Sequence, residues 1–142
     1  MENSEKNVRD NSFRVEVMGL IFDPKKRKVL IAKEEGNPYV NKTIWRFPGG
    51  KVSHKDKIES SLKKHLKEKT GYTTAVLGSV FARIPPEKKD LLLIYYLCEI
   101  VKGKEKPAKS FTELKWVSPT ELKNYFTTKL EPALKECINH IK

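Results

Sequence analysis

The sequence predicts a single α/β domain in which helices pack on a mixed β-sheet. Three observations favour this class. Candidate elements follow one another as strands, one helix, strands and then helices, the order of a layered α/β domain. The length of 142 residues suits one hydrophobic core, and 38% apolar residues can fill it. Neither a repeat nor a linker interrupts the chain, so we expect a flexible leader over 1–12 and one domain over 13–142.

The first two strands form a predicted hairpin. FRVEVMGLIF (13–22) partly alternates β-branched and aromatic residues with others, which is typical of a strand. Asp23 can bond back to the main chain and Pro24 presets the backbone angle, so these residues open a turn. KVLIAK (28–33) returns as the second strand, and a loop over 34–44 follows.

The centre of the chain predicts a short strand and a helix. WRF (45–47) is a strand that runs into a Pro-Gly-Gly turn. The helix spans 56–69, with Ser53 or Asp56 as its N-cap and Gly71 as its end. Its apolar stripe recurs every four residues, at Ile58, Leu62 and Leu66.

The second half of the chain predicts three strands and two helices. A strand over 73–84 has an irregularity at its glycine, and the almost unbroken apolar run 91–100 indicates a central strand buried on both faces. A further strand spans 111–118. Proline opens a short helix over 119–125, and a last helix covers 130–141. The stripe of that helix consists of Leu130, Ala133, Leu134, Cys137, Ile138 and Ile141.

Composition excludes several classes of protein. The formal charge of +11 favours anionic partners such as nucleotides, RNA, polyphosphate or an acidic protein. Cys98 and Cys137 form no CxxC pair, so we expect two buried thiols rather than a zinc or redox motif. The polar N-terminus is no signal peptide and no apolar run reaches membrane-spanning length, which predicts a cytoplasmic protein without membrane contact.

The WRFPGG segment, followed by a helix that ends at Gly71, resembles the box of the Nudix family. That box reads G-x5-E-x7-R-E-U-x-E-E-x-G-U, where U is a bulky apolar residue. When its last glycine is aligned with Gly71, its first glycine falls on Gly50. The E-L-K-W segment (113–116) is similar to the E-x-x-W segment of the family, and the resemblance covers 13–140. It implies an α/β/α sandwich with a central mixed sheet, one box helix and C-terminal helices.

The resemblance also implies an activity, the magnesium-dependent hydrolysis of a nucleoside diphosphate linked to another group. In the family, three acids on one helix face hold the metal, and the carbonyl of the residue aligned with Gly49 can also touch it. Here those three positions are His65, Glu68 and Lys69, which carry no net charge when the histidine is neutral. Because Lys69 places an ammonium where a dication would bind, we expect severely weakened magnesium affinity.

The resemblance names further site residues. Glu68 is the remaining metal ligand and a catalytic candidate, or a surface acid that pairs with Lys64. His65 is a second ligand candidate, or plain packing. Glu113 resembles a residue that supplies a base in some family members, or is a solvent-facing strand residue. Lys33, Arg46 and Arg83 could grip phosphates, or lie on exposed strand faces. The structural box positions are Gly49, Gly50, Asp56, Lys64 and Gly71, with Asp56 and Lys64 in place of a glutamate–arginine pair.

Three hypotheses about function follow. The first is a Nudix-fold protein with an eroded metal site that binds a nucleotide or other phosphorylated small molecule, with weak or no hydrolysis. The second is an active pyrophosphohydrolase that uses magnesium or manganese through non-standard ligands. The third is a basic interaction module for RNA or an acidic protein. In the first and third hypotheses no metal cofactor is needed. The specificity loops 34–44, 84–90 and 102–110 carry no decodable signature, and both a monomer and a homodimer fit the sequence.

Overall fold

The computed structural model describes residues 12–34, 44–53, 55–109, 111–126 and 132–140. The leader predicted over 1–12 therefore lies, apart from Ser12, outside the described residues. The strands are β1 (Arg14–Asp23), β2 (Lys28–Glu34), β3 (Ile44–Arg46), β4 (Gly49–Lys51), β5 (Tyr72–Arg83), β6 (Leu91–Gly103) and β7 (Phe111–Val117). The helices are α1 (Ile58–Thr70), a 3-10 helix (Pro119–Asn124) and α2 (Pro132–Asn139).

The sheet is mixed, as predicted. Its strand order is β3-β2-β1-β6-β5, with β4 paired to β1 and β7 paired to β2. Strands β1 and β6 run parallel, and the other pairs are antiparallel. Strand β6 lies between β1 and β5, which confirms the central strand predicted from its apolar run. It continues to Gly103, so the start of the predicted loop 102–110 belongs to the strand.

Helices cover both faces of the sheet. Leu62 and Leu66 of α1 pack into one buried cluster, and Leu134 and Ile138 of α2 pack into the other. Strand β1 supplies alternate side chains to the two clusters, as the two-residue period of a strand requires. These are Val17 and Ile21 on the α1 side, and Met18 and Leu20 on the α2 side. The result is the predicted α/β/α layering.

Helix α1 begins two residues later than predicted, and neither predicted N-cap is used. Lys57 occupies the N-cap position without a side-chain capping hydrogen bond. The backbone N–H of Asp56 instead donates to the Ser53 carbonyl at 3.2 Å, in the turn before the helix. The predicted end is confirmed. Gly71 adopts the left-handed φ of 86°, which favours glycine, and its N–H donates to the Lys67 carbonyl.

Two predicted stripe residues are exposed. Ile58 is 39% exposed because it is the first residue of α1, whereas Leu62 and Leu66 are fully buried. In α2, Ala133 is exposed because it lies about 100° around the helix from the buried row of Leu134 and Ile138. Leu130 and Ile141, which were predicted for the same stripe, lie outside the described residues.

The predicted connections are confirmed in position. The backbone N–H of Lys25 donates to the Asp23 carboxylate at 2.9 Å, which closes the β1–β2 turn. The predicted short helix is the 3-10 helix that begins at Pro119, and a register shift at Gly78 is the expected irregularity in β5. Among the described residues, no helix is long and apolar enough to cross a membrane.

Candidate functional site

Gly49 and Gly50 of the Pro-Gly-Gly segment lie in strand β4 and not in the predicted turn. Gly50 and Gly49 pair with Val17 and Met18 of β1, and neither glycine has a left-handed φ. The prediction that they need permissive backbone angles is therefore wrong. Glycine is required by space, because a Cβ on Gly49 would overlap the Val17 carbonyl oxygen. A Cβ on Gly50 would lie 2.5 Å from Nδ1 of His65.

His65 joins α1 to β4. Its Nε2 lies 2.7 Å from the carbonyl oxygen of Lys51. A carbonyl can only accept a hydrogen bond, so Nε2 carries the proton and donates. The other side of the ring packs against Gly50. In this arrangement Nε2 is not available as a metal ligand, and the imidazole holds the helix against the sheet.

The side chain of Lys69 reaches the same strand from the next turn of α1. Its Nζ donates a hydrogen bond to the carbonyl oxygen of Gly49. Burial lowers the pKa of Lys69, and the neighbouring guanidinium of Arg46 lowers it further. Nearby carboxylates oppose that shift, in decreasing order Glu34, Glu16 and Glu68. The charge of the ammonium group is thus influenced by one guanidinium and three carboxylates, although within the described residues it forms no ion pair with them.

Arg46 holds the strand side of this group of charges. Its Nη1 lies 3.0 Å from Oε2 of Glu34, and its Nη2 lies 4.0 Å from Oε1 of Glu16. These three side chains are between 19 and 37% exposed, so the pairs are partly shielded from water. Arg46 was predicted from the sequence, but the two carboxylates were missed. The available signal for Glu16 was a single acid inside the apolar run of β1.

The three box positions do not form the oxygen donor set that magnesium takes. Magnesium is held by carboxylates, phosphates and water in near-octahedral geometry. Here His65 donates to a backbone carbonyl, Lys69 contributes an ammonium, and only Glu68 carries a carboxylate. Among the residues that the structure describes, no group of three or more His, Cys, Asp and Glu side chains could hold a metal ion.

An aromatic cluster lies on the α2 side of the sheet, next to Arg46 in sequence. Phe47 contacts Phe126 edge to face, with centroids 5.1 Å apart, and Trp45 contacts Tyr125 at 5.4 Å. Phe47 is buried, whereas the other three rings are only half-buried. Half-exposed aromatic faces of this kind can receive another flat ring.

Lys33 and Glu113 lie opposite each other on β2 and β7. The Nζ of Lys33 is 5.8 Å from the ring of Trp45, which places it beside the aromatic cluster. Glu113 is exposed, and no described contact joins it to Lys69 or Glu68.

The remaining candidates are Arg83, Asp56 and Lys64. Arg83 pairs with Leu93 of β6, and Leu93 pairs with Glu16 of β1, so Arg83 lies level with Glu16 with one strand between them. Asp56 and Lys64 are both exposed, and among the described residues they form no ion pair with each other. The predicted structural pair is therefore absent, because Asp56 lies in the turn before α1 and outside the helix. Lys64 does not pair with Glu68 either within this part of the chain.

A strand hairpin, a Gly-Gly strand and a helix closed by glycine, layered as α/β/α, define a Nudix-type fold. The family model of the NUDIX domain matches residues 12–140, and the chain belongs to that family.

Curated relatives and solved structures agree with this assignment. The chain is 34% identical over 111 residues to an 8-oxo-dGTP diphosphatase of Buchnera aphidicola subsp. Schizaphis graminum, covering 78% of this chain and 80% of the relative. A NUDIX hydrolase from Nitrosomonas europaea superposes with a TM-score of 0.71 at 16% identity, over 90% of this chain and 87% of that one. A MutT structure from a study of Aliivibrio salmonicida and Vibrio cholerae gives a TM-score of 0.69 at 21% identity, over 88% and 94%.

Proposed function

We propose that this chain is a Nudix-fold protein that binds a nucleoside polyphosphate, with weak or no magnesium-dependent hydrolysis. The proposed binding region consists of Lys69, Arg46 and the neighbouring aromatic cluster, and we call it the cleft. One observation carries the proposal, the hydrogen bond from Nζ of Lys69 to the carbonyl of Gly49. In the family, that carbonyl position and the three helix acids face the metal. Lys69 thus supplies a fixed cation at the place where the enzymes bind theirs.

Electrostatics support an ammonium in place of magnesium. Two unit charges about 4 Å apart repel by about 4 kcal/mol at an effective dielectric near 20, and a dication doubles that figure. One carboxylate, Glu68, does not offset this repulsion. Magnesium, when bound in such sites, neutralises phosphate and activates water. Without it, Lys69 can neutralise part of the phosphate charge, but no group in the cleft generates hydroxide.

The chemistry of the cleft favours a nucleotide as ligand. Within the described residues Lys69 makes no ion pair and hydrogen-bonds only a neutral carbonyl, so its charge can serve a phosphate oxygen. Arg46, by contrast, is already paired with Glu34 and Glu16. The half-exposed rings of Trp45, Tyr125 and Phe126 offer faces for a base. The name of the curated relatives, 8-oxo-dGTP diphosphatase, makes purine nucleoside triphosphates the first ligands to try.

Restoring the family's acids tests the proposal directly. We expect His65→Glu/Lys69→Glu to gain manganese binding, measured by titration calorimetry and by the loss of the free-ion electron paramagnetic resonance signal. The wild type should show neither, because its donor set holds one carboxylate. Wild-type binding of 8-oxo-dGTP should be unchanged by EDTA. Its hydrolysis, followed by pyrophosphate release, should be at least about 100-fold slower than that of the restored variant.

A matched control separates the site from the general charge of the helix. The control Ser60→Glu/Lys63→Glu also replaces one uncharged residue and one lysine by glutamate. Both of its positions are exposed on α1. This control should not bind manganese. Stoichiometric manganese binding and fast turnover by the wild type would contradict the proposal.

A second candidate function is an active pyrophosphohydrolase with non-standard ligands. The similarity to relatives named 8-oxo-dGTP diphosphatase favours it, because the chain is 34% identical over 111 residues to one of them. In that case the wild type should hydrolyse the nucleotide. Both the substitution Glu68→Gln and the addition of EDTA to the wild type should abolish this turnover.

A further inference from the structure

The end of the domain at the C-terminus of α1 is basic and aromatic, and it adjoins the cleft at Glu68. Strands β1 and β6 are parallel, and α1 runs in the direction of β1. The early helix residue Ser61 bonds the carbonyl of Lys51, which pairs with Glu16, whereas the late residue Lys69 bonds that of Gly49, which pairs with Met18. The β1–β2 turn, the end of β6 and the C-terminus of α1 therefore meet at one end of the molecule. We call this surface the basic end.

Four lysines line a groove in the basic end. The groove has a volume of about 640 Å³ and lies between the last turn of α1 and the segment after β6. Its cations are Lys67, Lys104, Lys106 and Lys109, and its acids are Glu68 and Glu105. Within the part of the chain that the structure describes, the side chains of Lys104, Lys106 and Lys109 make no hydrogen bond or ion pair. Their charges face solvent and are available to an anion.

The end of α1 does not cancel this positive charge. The C-terminus of a helix carries partial negative charge on carbonyls without an intrahelical partner. Here the Thr70 carbonyl accepts the N–H of Lys106 at 2.8 Å, and the Lys69 carbonyl accepts that of Ala108 at 3.2 Å. The Lys67 carbonyl accepts the N–H of Gly71. The groove segment thus caps the helix while its lysine side chains project from it.

Two aromatic rings, those of Tyr72 and Trp116, lie beside the groove without lining it. Tyr72 follows Gly71, which lines the groove, and its ring centroid lies 6.1 Å from that of Trp116 at a steep angle. Lys26, from the turn of the β1–β2 hairpin, places its Nζ 6.0 Å from the Trp116 ring. Both rings are half-buried, so each is held by the core and keeps part of its surface in solvent. The Asp23 carboxylate in this turn accepts a backbone N–H.

We propose that the basic end binds single-stranded nucleic acid, with phosphates on the groove lysines and bases on the Tyr72–Trp116 pair. Cationic grooves with aromatic platforms bind single strands with little sequence preference, because every base has a face to stack. An acidic protein would use the lysines but would have no need of the two rings. The formal charge of +11 adds long-range attraction for a polyanion.

Removing the groove lysines tests the phosphate contacts. The probe is a fluorescein-labelled oligouridylate of about 12 nucleotides, followed by anisotropy between about 50 and 200 mM salt. Lys104→Gln/Lys106→Gln/Lys109→Gln should weaken binding at least tenfold and lower the salt slope by about 2, since each single-strand phosphate contact contributes about 0.7. The control Lys55→Gln/Lys57→Gln/Lys89→Gln removes the same charge from exposed positions at the opposite end. It should stay within about twofold of wild type.

A fluorescence reporter tests the bases. Trp45→Phe leaves Trp116 as the single tryptophan of the chain, and its emission should be quenched when the oligonucleotide binds. Three results would overturn the proposal: no binding by the wild type, equal binding by the groove variant, or binding without any change in Trp116 emission. Displacement of the oligonucleotide by polyglutamate at equal charge concentration would also overturn it and assign the surface to acidic proteins. The groove variant retains Lys69, Arg46 and the aromatic cluster of the cleft, so its loss of oligonucleotide binding is distinct from the manganese and hydrolysis test of the proposed function.

Discussion

At the scale of single residues, Lys69 carries the clearest electrostatic signature. Burial lowers its pKa, and the sign of the consequence follows from linkage. The unfolded chain holds this proton more tightly than the folded chain between the lowered pKa and 10.5, so the contribution of Lys69 to stability rises with pH across that window. At neutral pH the buried charge is a cost that the neighbouring carboxylates only partly offset.

This predicts a pH-dependent effect of removing the amine. Lys69→Met should gain stability over the wild type at about pH 8, and this advantage should shrink towards about pH 10 as the wild-type lysine loses its proton. Urea unfolding at both pH values measures the difference. Lys63→Met, at an exposed position of the same helix, should show no such trend. A constant difference for Lys69→Met would mean that its pKa is not lowered in the folded protein.

Residue spacing was enough to align the box, but not to find the ionic partners of Arg46. The glycine-to-glycine spacing assigned His65, Glu68 and Lys69 from the sequence alone. Glu16 and Glu34 reach Arg46 only because β1, β2 and β3 are neighbours in the sheet. Such contacts depend on strand register, which local sequence patterns do not specify.

At the scale of elements, the contact between α1 and β4 depends on the fit of His65 against Gly50. A Cβ on Gly50 would lie 2.5 Å from the imidazole, so Gly50→Ala should destabilise the fold by about 1–3 kcal/mol. The double variant Gly50→Ala/His65→Ala should be more stable than Gly50→Ala alone, because the small side chain at 65 frees the space. Denaturant unfolding of the four proteins in the cycle measures this coupling.

Gly49 provides the control for that cycle. A Cβ on Gly49 would overlap the Val17 carbonyl oxygen, a backbone atom that no side-chain truncation can move. Gly49→Ala and His65→Ala should therefore be additive. Additivity at Gly50 as well would show that His65 does not pack against it as described.

Elements with strong periodicity were predicted well, and those defined by pairing were not. The apolar run of β6 and the glycine stop of α1 specify their elements locally. Strand β4 is three residues, Gly-Gly-Lys, with no strand propensity, and it exists because β1 offers it hydrogen bonds. The N-terminus of α1 was misplaced because it uses Lys57, without a side-chain cap, in place of the polar residues nearby.

At the scale of the whole molecule, the charged groups that could bind a ligand lie in two regions. The cleft places one ammonium among carboxylates, whereas the basic end carries lysines with few acids between them. Strands β1 and β6 connect the two, because they contribute Glu16 to the first region and lead into the groove segment of the second. Both strands pass through the core. Its packing therefore determines whether one region can unfold locally while the other stays folded.

Cys98 reports on that core. It is fully buried on β6, and burial raises the pKa of its thiol to about 12. Cys137 is half-buried, which corrects the prediction of two buried thiols.

At about pH 8 a thiol reagent should label Cys137→Ser, which retains Cys98, only through global unfolding, so the labelling rate should follow the urea dependence of complete unfolding. Cys98→Ala, which retains Cys137, should react faster and with little dependence on urea. Above about pH 8.5 the unfolded thiol ionises while the folded one does not, so the contribution of Cys98 to stability should fall as pH rises. Fast labelling of Cys98 without added urea would show that the sheet opens locally between the cleft and the basic end.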